Sequence, residues 1–509
     1  TSLAADLEGL EPPPAGLNVE IKPFGIAGAR TDRAARPPAH INNADHDFGV
    51  DAKYGLTKSL TADFTYNTDF AQVEDDTQQV NLTRFNLFFP EKREFFLEGQ
   101  GLFAFGGSTG STNSNTPVLF FSRAIGLNNG APVPILGGGR LTGRSGAYSI
   151  GLLDIQSRDD TASSAHAANA SVVRVKRDMS RRSYVGALYT RRQETSGGAG
   201  AGDTFGIDTL ISTSPALNIN LYAAKTQTPG VTGKDTSYLG RFDYNLDRYG
   251  LQVERLNVGA QFNPEVGFLR RRGFTRDYAL ARFSPRPSAR HFQGVRRFIY
   301  QGSLEYIEDG TGRVDTREAQ GSFNLEMKNF DNLSLRYTST YEFIPRPFTI
   351  ASGVVIPVGG YDYQTSQVGY TFGFSHAFSG TVSLQAGTLY NGTRRTLTLS
   401  SGRINVTSQF ALEPSASINT VDVPQGAFNS SVVTNRATYT MTPRMFVSAL
   451  VQYNSSTHLM STNARFRWEY RPGSEMFVVY SDGRDGLTRG YPDLLNRAFV
   501  VKATRLLRF

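Results

Sequence analysis

The sequence predicts an all-β protein, a transmembrane antiparallel β-barrel of about 24 strands (range 22–26) with an internal plug segment. Three observations predict it. Apolar and polar residues alternate strictly over runs of about nine to eleven residues, the period of a strand with two unlike faces. No run of ~18 apolar residues occurs, which excludes a spanning helix, whereas tilted strands of ~10 residues do cross a bilayer. The chain also closes on an amphipathic segment ending in Phe509.

Elements follow in order. Strands are expected near 18–30, 47–56, 59–68, 134–143, 146–155, 167–177, 181–191, 204–213, 216–226, 235–244, 248–260 and 274–285. They continue near 295–307, 313–327, 332–343, 361–375, 380–390, 393–401, 404–421, 431–442, 444–454, 458–471, 474–481 and 495–509. In 59–67, Leu60, Ala62, Phe64 and Tyr66 oppose Thr61, Asp63, Thr65 and Asn67. In 462–470, Ala464, Phe466, Trp468 and Tyr470 oppose Asn463, Arg465, Arg467 and Glu469. A soluble secreted sandwich that binds polysaccharide would also alternate. The membrane reading is preferred because Tyr66, Tyr341, Tyr390 and Tyr470 fall near strand ends, where an aromatic girdle sits. Asp63, Arg241, Asp243, Arg336, Arg465, Arg467 and Glu469 stand on the opposite faces, as for a wet lumen. An open sheet edge has no partner in lipid, so the sheet must close. An even strand count is required if both termini lie in the periplasm, as expected here. The longer connections (156–166, 192–203, 227–234, 261–273, 344–360) then lie outside the cell.

One connection is exceptional. About 65 residues, 69–133, separate strands 3 and 4, and a structureless loop of that length is unusual. It carries Phe85, Phe88, Phe89, Phe95, Phe96, Leu97, Phe103 and Phe105, too apolar to stay in water. The expectation is a plug folded into the lumen, with an extracellular cap as the alternative. Residues 1–17 read as a periplasmic lead-in, 18–509 as the barrel, and Thr1-Ser2-Leu3-Ala4 as the interior of a longer chain.

The charged residues of the connection are the candidate anchors or ligand contacts: Asp69, Glu74, Asp76, Arg84, Glu91, Arg93, Glu98 and Arg123. Arg84, Arg93 and Arg123 are expected to meet acids of the segment, and the network to hold it against lumen groups such as Asp63, Arg241, Asp243, Arg465 and Glu469. Charges in a barrel need partners or water. Arg270, Arg271 and Arg272 form the strongest local basic cluster, assigned to an outer loop where lipopolysaccharide phosphates are one partner.

These runs resemble a known family. Asp69-Phe70-Ala71-Gln72-Val73-Glu74-Asp75-Asp76, Asn81-Leu82-Thr83-Arg84-Phe85 and Phe89-Pro90-Glu91-Lys92-Arg93-Glu94-Phe95-Phe96-Leu97-Glu98-Gly99 look like the signature of a bacterial outer-membrane family of unknown function. Further matches are Ser122-Arg123-Ala124-Ile125-Gly126, where the family more often has Arg at the position of Ala124, Asn263-Pro264-Glu265-Val266-Gly267-Phe268-Leu269-Arg270, and Gln452-Tyr453-Asn454. Members usually carry an N-terminal domain similar to family-nine carbohydrate-binding modules. The resemblance therefore implies a Gram-negative outer-membrane location and a carbohydrate connection, with no defined substrate.

The formal charge is +8, and 9 of the 53 basic residues are Lys, the rest Arg spread along the chain rather than gathered in a patch, so nucleic acid is not an expected partner. Without Cys there is no thiol chemistry or disulfide scaffold. The six histidines show no metal-ligand spacing, and no metal or cofactor is expected. Gly106-Gly107-Ser108-Thr109-Gly110 fits GxSxG but lacks the preceding strand, and His166 near Asp159 and Asp160 reads as a polar loop. The expected function is therefore not enzymatic: a gated or plugged transport barrel for a solute or polymer. A sealed platform for surface or periplasmic protein partners, and an outer-membrane hydrolase, are the alternatives. Phe509 is expected to be read by the barrel-assembly machinery, and lipid to surround the sheet.

Overall fold

A computed structural model describes residues 18–33, 40–68, 73–107, 114–128, 131–161, 164–196, 200–288, 290–487 and 492–509. Asp69, Ser108 and the lead-in 1–17 lie outside the described residues.

Alternation yields one closed sheet of 24 antiparallel strands. Each strand pairs with its sequence neighbours, and the first, Val19–Asp32, pairs with the last, Asp493–Thr504, from Phe24↔Thr504 to Asp32↔Asn496. Closure leaves no edge for another chain to extend. Leu507–Arg508 resumes the last strand after a break at 505–506 and re-pairs with Ile21 and Glu20. That break takes Arg505 out of the strand's alternation.

All 24 expected strands form, with ends displaced by up to several residues. The second begins at His40 rather than near 47, because His40–Asp47 extends the ladder with polar residues that give no period-two signal. The first described strand starts and the last one finishes at one end of the barrel, the terminal end. At the other end the connections 158–167, 195–200, 228–235, 259–273 and 345–358 are long, as expected, whereas 390–391 and 424–425 are tight turns.

Outward positions carry the large apolar side chains that remain exposed, among them Phe64, Val173, Ile207, Leu251, Leu304, Leu335, Leu384 and Val433. Tyr249, Phe283, Tyr300 and Phe323 stack across four neighbouring strands near the terminal end, with ring centroids 5.5, 6.4 and 5.1 Å apart. Rings gathered at this level match the position of an aromatic girdle. Tyr66 is exposed on this face. Tyr390 is not. It sits with Asn391 in a two-residue turn at φ 48° and 64°, which swings it inward to 2% exposure, its hydroxyl donating to Glu342 at 3.1 Å.

The terminal-end turn 328–331 has its own lock. Asp331 accepts hydrogen bonds from the Gly373 amide (2.8 Å), the Tyr370 hydroxyl (2.7 Å), His376 Nε2 (2.9 Å) and Asn329 (2.8 Å). The Gly373 amide foremost, then Tyr370, holds this carboxyl well below the usual carboxylate range. A depressed value means the contribution is complete above the unfolded-state value of ~3.9 and is lost only as pH falls through the folded one. Asp331→Asn should therefore speed amide exchange across 370–377 at pH 7, while the unmutated turn should open only on strong acidification. Equal exchange in both proteins at neutral pH would contradict this.

Candidate functional site

The connection between Leu60–Tyr66 and Ile135–Ser145 leaves and re-enters adjacent strands at the rim away from the termini. Its described residues meet inward-facing side chains from many strands around the ring.

Its apolar half comes first. Phe96, Phe103, Phe105, Leu119 and Ile125 are buried in one core with Ile135, Leu153, Ile155, Val172, Leu188, Leu239 and Leu256 of the inner wall. On these strands the inner face is packed against the connection rather than wet. Gly151 and Gly206 admit the rings. A Cβ would stand 2.9 Å from the Phe103 ring at the first and 2.6 Å from the Phe105 ring at the second. Gly206→Val should displace Phe105 and cost ~1–3 kcal/mol as overpacking. It would be read as a lowered unfolding midpoint with faster proteolysis near 105, and an unchanged midpoint would refute the close fit.

The polar half is a set of ion pairs. Glu91, Arg93 and Glu98 of the signature run build a lock between the connection's own turns and the wall. Arg93 donates to both Glu91 oxygens (2.8 and 2.7 Å) and to the Ile125 and Ser122 carbonyls (2.7 Å each), and the Ser122 hydroxyl donates to Glu91 at 2.6 Å. Burial alone would raise the Glu91 carboxyl, but these bonds outweigh it and hold it below its ordinary value. Arg140 on the wall donates to the Phe95 and Glu98 carbonyls and, at 2.8 Å, to Asp63, while Lys53 reaches Glu98 at 2.5 Å. Arg123 donates to Asp76 at 2.5 and 3.1 Å.

Two anchors cross to the far wall. Arg436 grips Glu74 with a bidentate fork at 2.9 and 2.8 Å. Arg84 does not meet acids of its own segment. It donates to Asp315 at 2.7 Å and Glu342 at 3.0 Å on the barrel. Glu74 and Asp76 thus face different partners.

Arg270 and Arg271 lean inward, contrary to the expectation of a cluster presented to lipopolysaccharide. Their guanidinium groups pack on the Phe85 ring at 4.8 and 4.2 Å, and Arg271 also donates to Asp315 at 2.8 Å. Phe85 gives them an aromatic surface inside the rim, and Arg272 instead bonds Asn263 at 2.6 Å. Other lumen candidates fall apart spatially. Arg241 pairs with Glu254 on the neighbouring strand, and Asp243 lies farther toward the terminal end of its own strand. Arg467 pairs with Glu475, and Glu469 accepts the Gly473 amide, both near the terminal-end rim and away from the connection. Arg465 is on the inner face of the same strand.

The tightest anchor was absent from the sequence-based candidates. Arg174 and Asp208, 0% and 1% exposed, bond at 2.6 and 2.8 Å. Arg174 also donates to the Ala104 carbonyl at 2.9 Å, and Asp208 accepts the Gly106 amide at 3.0 Å. The one available signal was a charge following small apolar inward residues, Ala168, Ala170 and Val172.

Between the connection and the strands spanning 314–405 a polar cavity of about 440 Å³ remains, lined by Arg336, Glu318, Gln320, Gln367, Gln385 and Arg394 among others. Leu82, which lines it, also packs in a second apolar cluster with the hairpin 348–356, Ile344, Tyr361 and Val421.

A domain of unknown function (DUF5916) matches residues 20–132, the first three strands and nearly all of the connection. No curated protein matches. Among solved structures, the chain is similar to the siderophore receptor PirA from Acinetobacter baumannii, with 10% identity and a TM-score of 0.42 over 97% of this chain and 81% of that one. It is similar to the ferric yersiniabactin uptake receptor FyuA from Yersinia pestis, with 8% identity and a TM-score of 0.40 over 96% and 80%. Similarity to OccAB3 of Acinetobacter baumannii has 10% identity and a TM-score of 0.30 over 96% and 99%.

Proposed function

We propose that this chain is an outer-membrane transport barrel, with both termini periplasmic and residues 69–133 acting as a plug that narrows the lumen to a polar passage. The carrying observation is the unequal lining. One stretch of inner wall is packed dry against the connection, while the stretch from 314 to 405 faces a cavity through Gln, Thr, Glu and Arg side chains. The outward apolar belt and stacked aromatics support residence in a bilayer. The anchors at Arg436, Arg84, Arg140 and Arg174 favour one second reading, a sealed barrel serving as a platform for protein partners.

The test is direct. Purified chain should need detergent, migrate faster in SDS before boiling than after, and let small hydrophilic solutes into proteoliposomes. Solubility without detergent and no mobility shift would remove the membrane reading. A mobility shift with no solute entry would leave only the sealed platform.

A further inference from the structure

We propose that the cavity beside 314–405 is a binding subsite for a soluble anionic solute, one bearing carboxylate or phosphate groups together with neutral hydrogen-bonding groups. Three guanidinium groups, Arg270, Arg336 and Arg394, line it. Two of its acids are already matched. Glu305 is bonded by Arg276, and Glu342 by Arg84 and the hydroxyls of Tyr363 and Tyr390. Glu318 is the remaining acid, and it forms no ion pair within 4.0 Å among the described residues.

Arg336 and Arg394 likewise have neither an ion pair nor a hydrogen bond among the described residues, and Arg394 Nε is buried with no partner. A guanidinium offers five donors in a fixed fork that suits carboxylate or phosphate; leaving the buried Nε of Arg394 without an acceptor is costly, and Arg336 presents an exposed guanidinium to the same space. Arg84, Arg93, Arg123, Arg140, Arg174, Arg271 and Arg436 at the plug–wall contact each donate to a carboxylate or a carbonyl. Arg336 and Arg394 are held out toward the cavity instead. Gln320, Gln367 and Gln385 lie on three of the cavity's strands and add amides that donate and accept, which fits hydroxyl or amide groups of the same solute. The volume of about 440 Å³ falls within the ~300–1,000 Å³ usual for small-molecule sites.

The subsite rests on reading the barrel as a solute passage, and the two fail separately. Full-length protein in detergent micelles would be titrated with citrate, inorganic phosphate and, as a neutral comparator, mannitol. Arg336→Gln, Arg394→Gln and the double variant would be measured beside it, each checked for heat-dependent migration. Citrate or phosphate should bind in preference to mannitol, with a loss of at least about tenfold in each single variant, the scale of one charge-assisted hydrogen bond. Binding that persists in the folded double variant, or a wild type that binds neither anion, overturns the subsite. Should the variants not fold, the wild-type preference for citrate or phosphate over mannitol decides alone. Solute entry without anion binding would leave the passage standing and remove only the subsite.

Discussion

Arg174→Ala should lower the stability of the protein by ~3–5 kcal/mol, the usual cost of stranding one partner of a fully buried ion pair. Asp208 would keep its place at 1% exposure with no guanidinium to meet it, its remaining donors being the Gly106 amide and the Tyr184 hydroxyl at 3.2 Å. The substitution also removes the donor to the Ala104 carbonyl and the cation packed 5.3 Å from the Phe105 ring. Because those contacts join wall to connection, loss should appear in two measurements at once. The temperature at which the fast-migrating form disappears should fall, and protease should cut the connection near 104–106 before the barrel unfolds. A change in neither would mean that the pair is incidental to the connection's seat. Asp208→Asn should be milder, since an amide keeps the shape and one acceptor.

The sequence made the barrel legible because lipid imposes one rule on every strand, an apolar residue at alternate positions across the belt. Where the ladder runs past the belt the rule lapses, which is why His40–Asp47 and Gly426–Ser430 gave no strand signal. The connection was legible as an anomaly, through its phenylalanines. Its partners were not. Period two tells which face Arg174, Asp208 and Arg436 occupy, and says nothing about depth or about what lies across the lumen. Arg84 shows the consequence: its sequence neighbours suggested acids of its own segment, and its partners are Asp315 and Glu342, more than two hundred positions away. Local density misled in the same way at Arg270 and Arg271, where adjacent charges suggested an outer loop facing lipopolysaccharide and Phe85 draws both inward.

Replacing 69–133 with a short linker should raise the conductance of the reconstituted barrel several-fold. The deletion removes Phe96, Phe103, Phe105, Leu119 and Ile125, and so uncovers the apolar wall at Leu153, Ile155, Leu188 and Leu256. That exposure costs stability. It does not remove the backbone ladder, in which strands 3 and 4 pair directly from Leu60↔Gly143 to Tyr66↔Gly137 whether or not the connection is present. In lipid the closed ladder has no competing partner, so the shortened chain should still show heat-dependent migration. An apolar wall would also make the widened passage noisy, through intermittent dewetting, rather than simply larger. A shortened barrel that folds yet conducts no more than the intact chain would mean that the connection does not restrict the lumen. Whether it moves in the intact protein is a separate question, and the absence of Cys makes that accessible. Glu74→Cys with Arg436→Cys, bridged by a bismaleimide, ties the connection to the far wall where the salt bridge now holds it. If passage requires that contact to open, the bridged form should lose solute entry that the unbridged double variant retains. Equal entry in both would make 69–133 a fixed constriction instead of a gate.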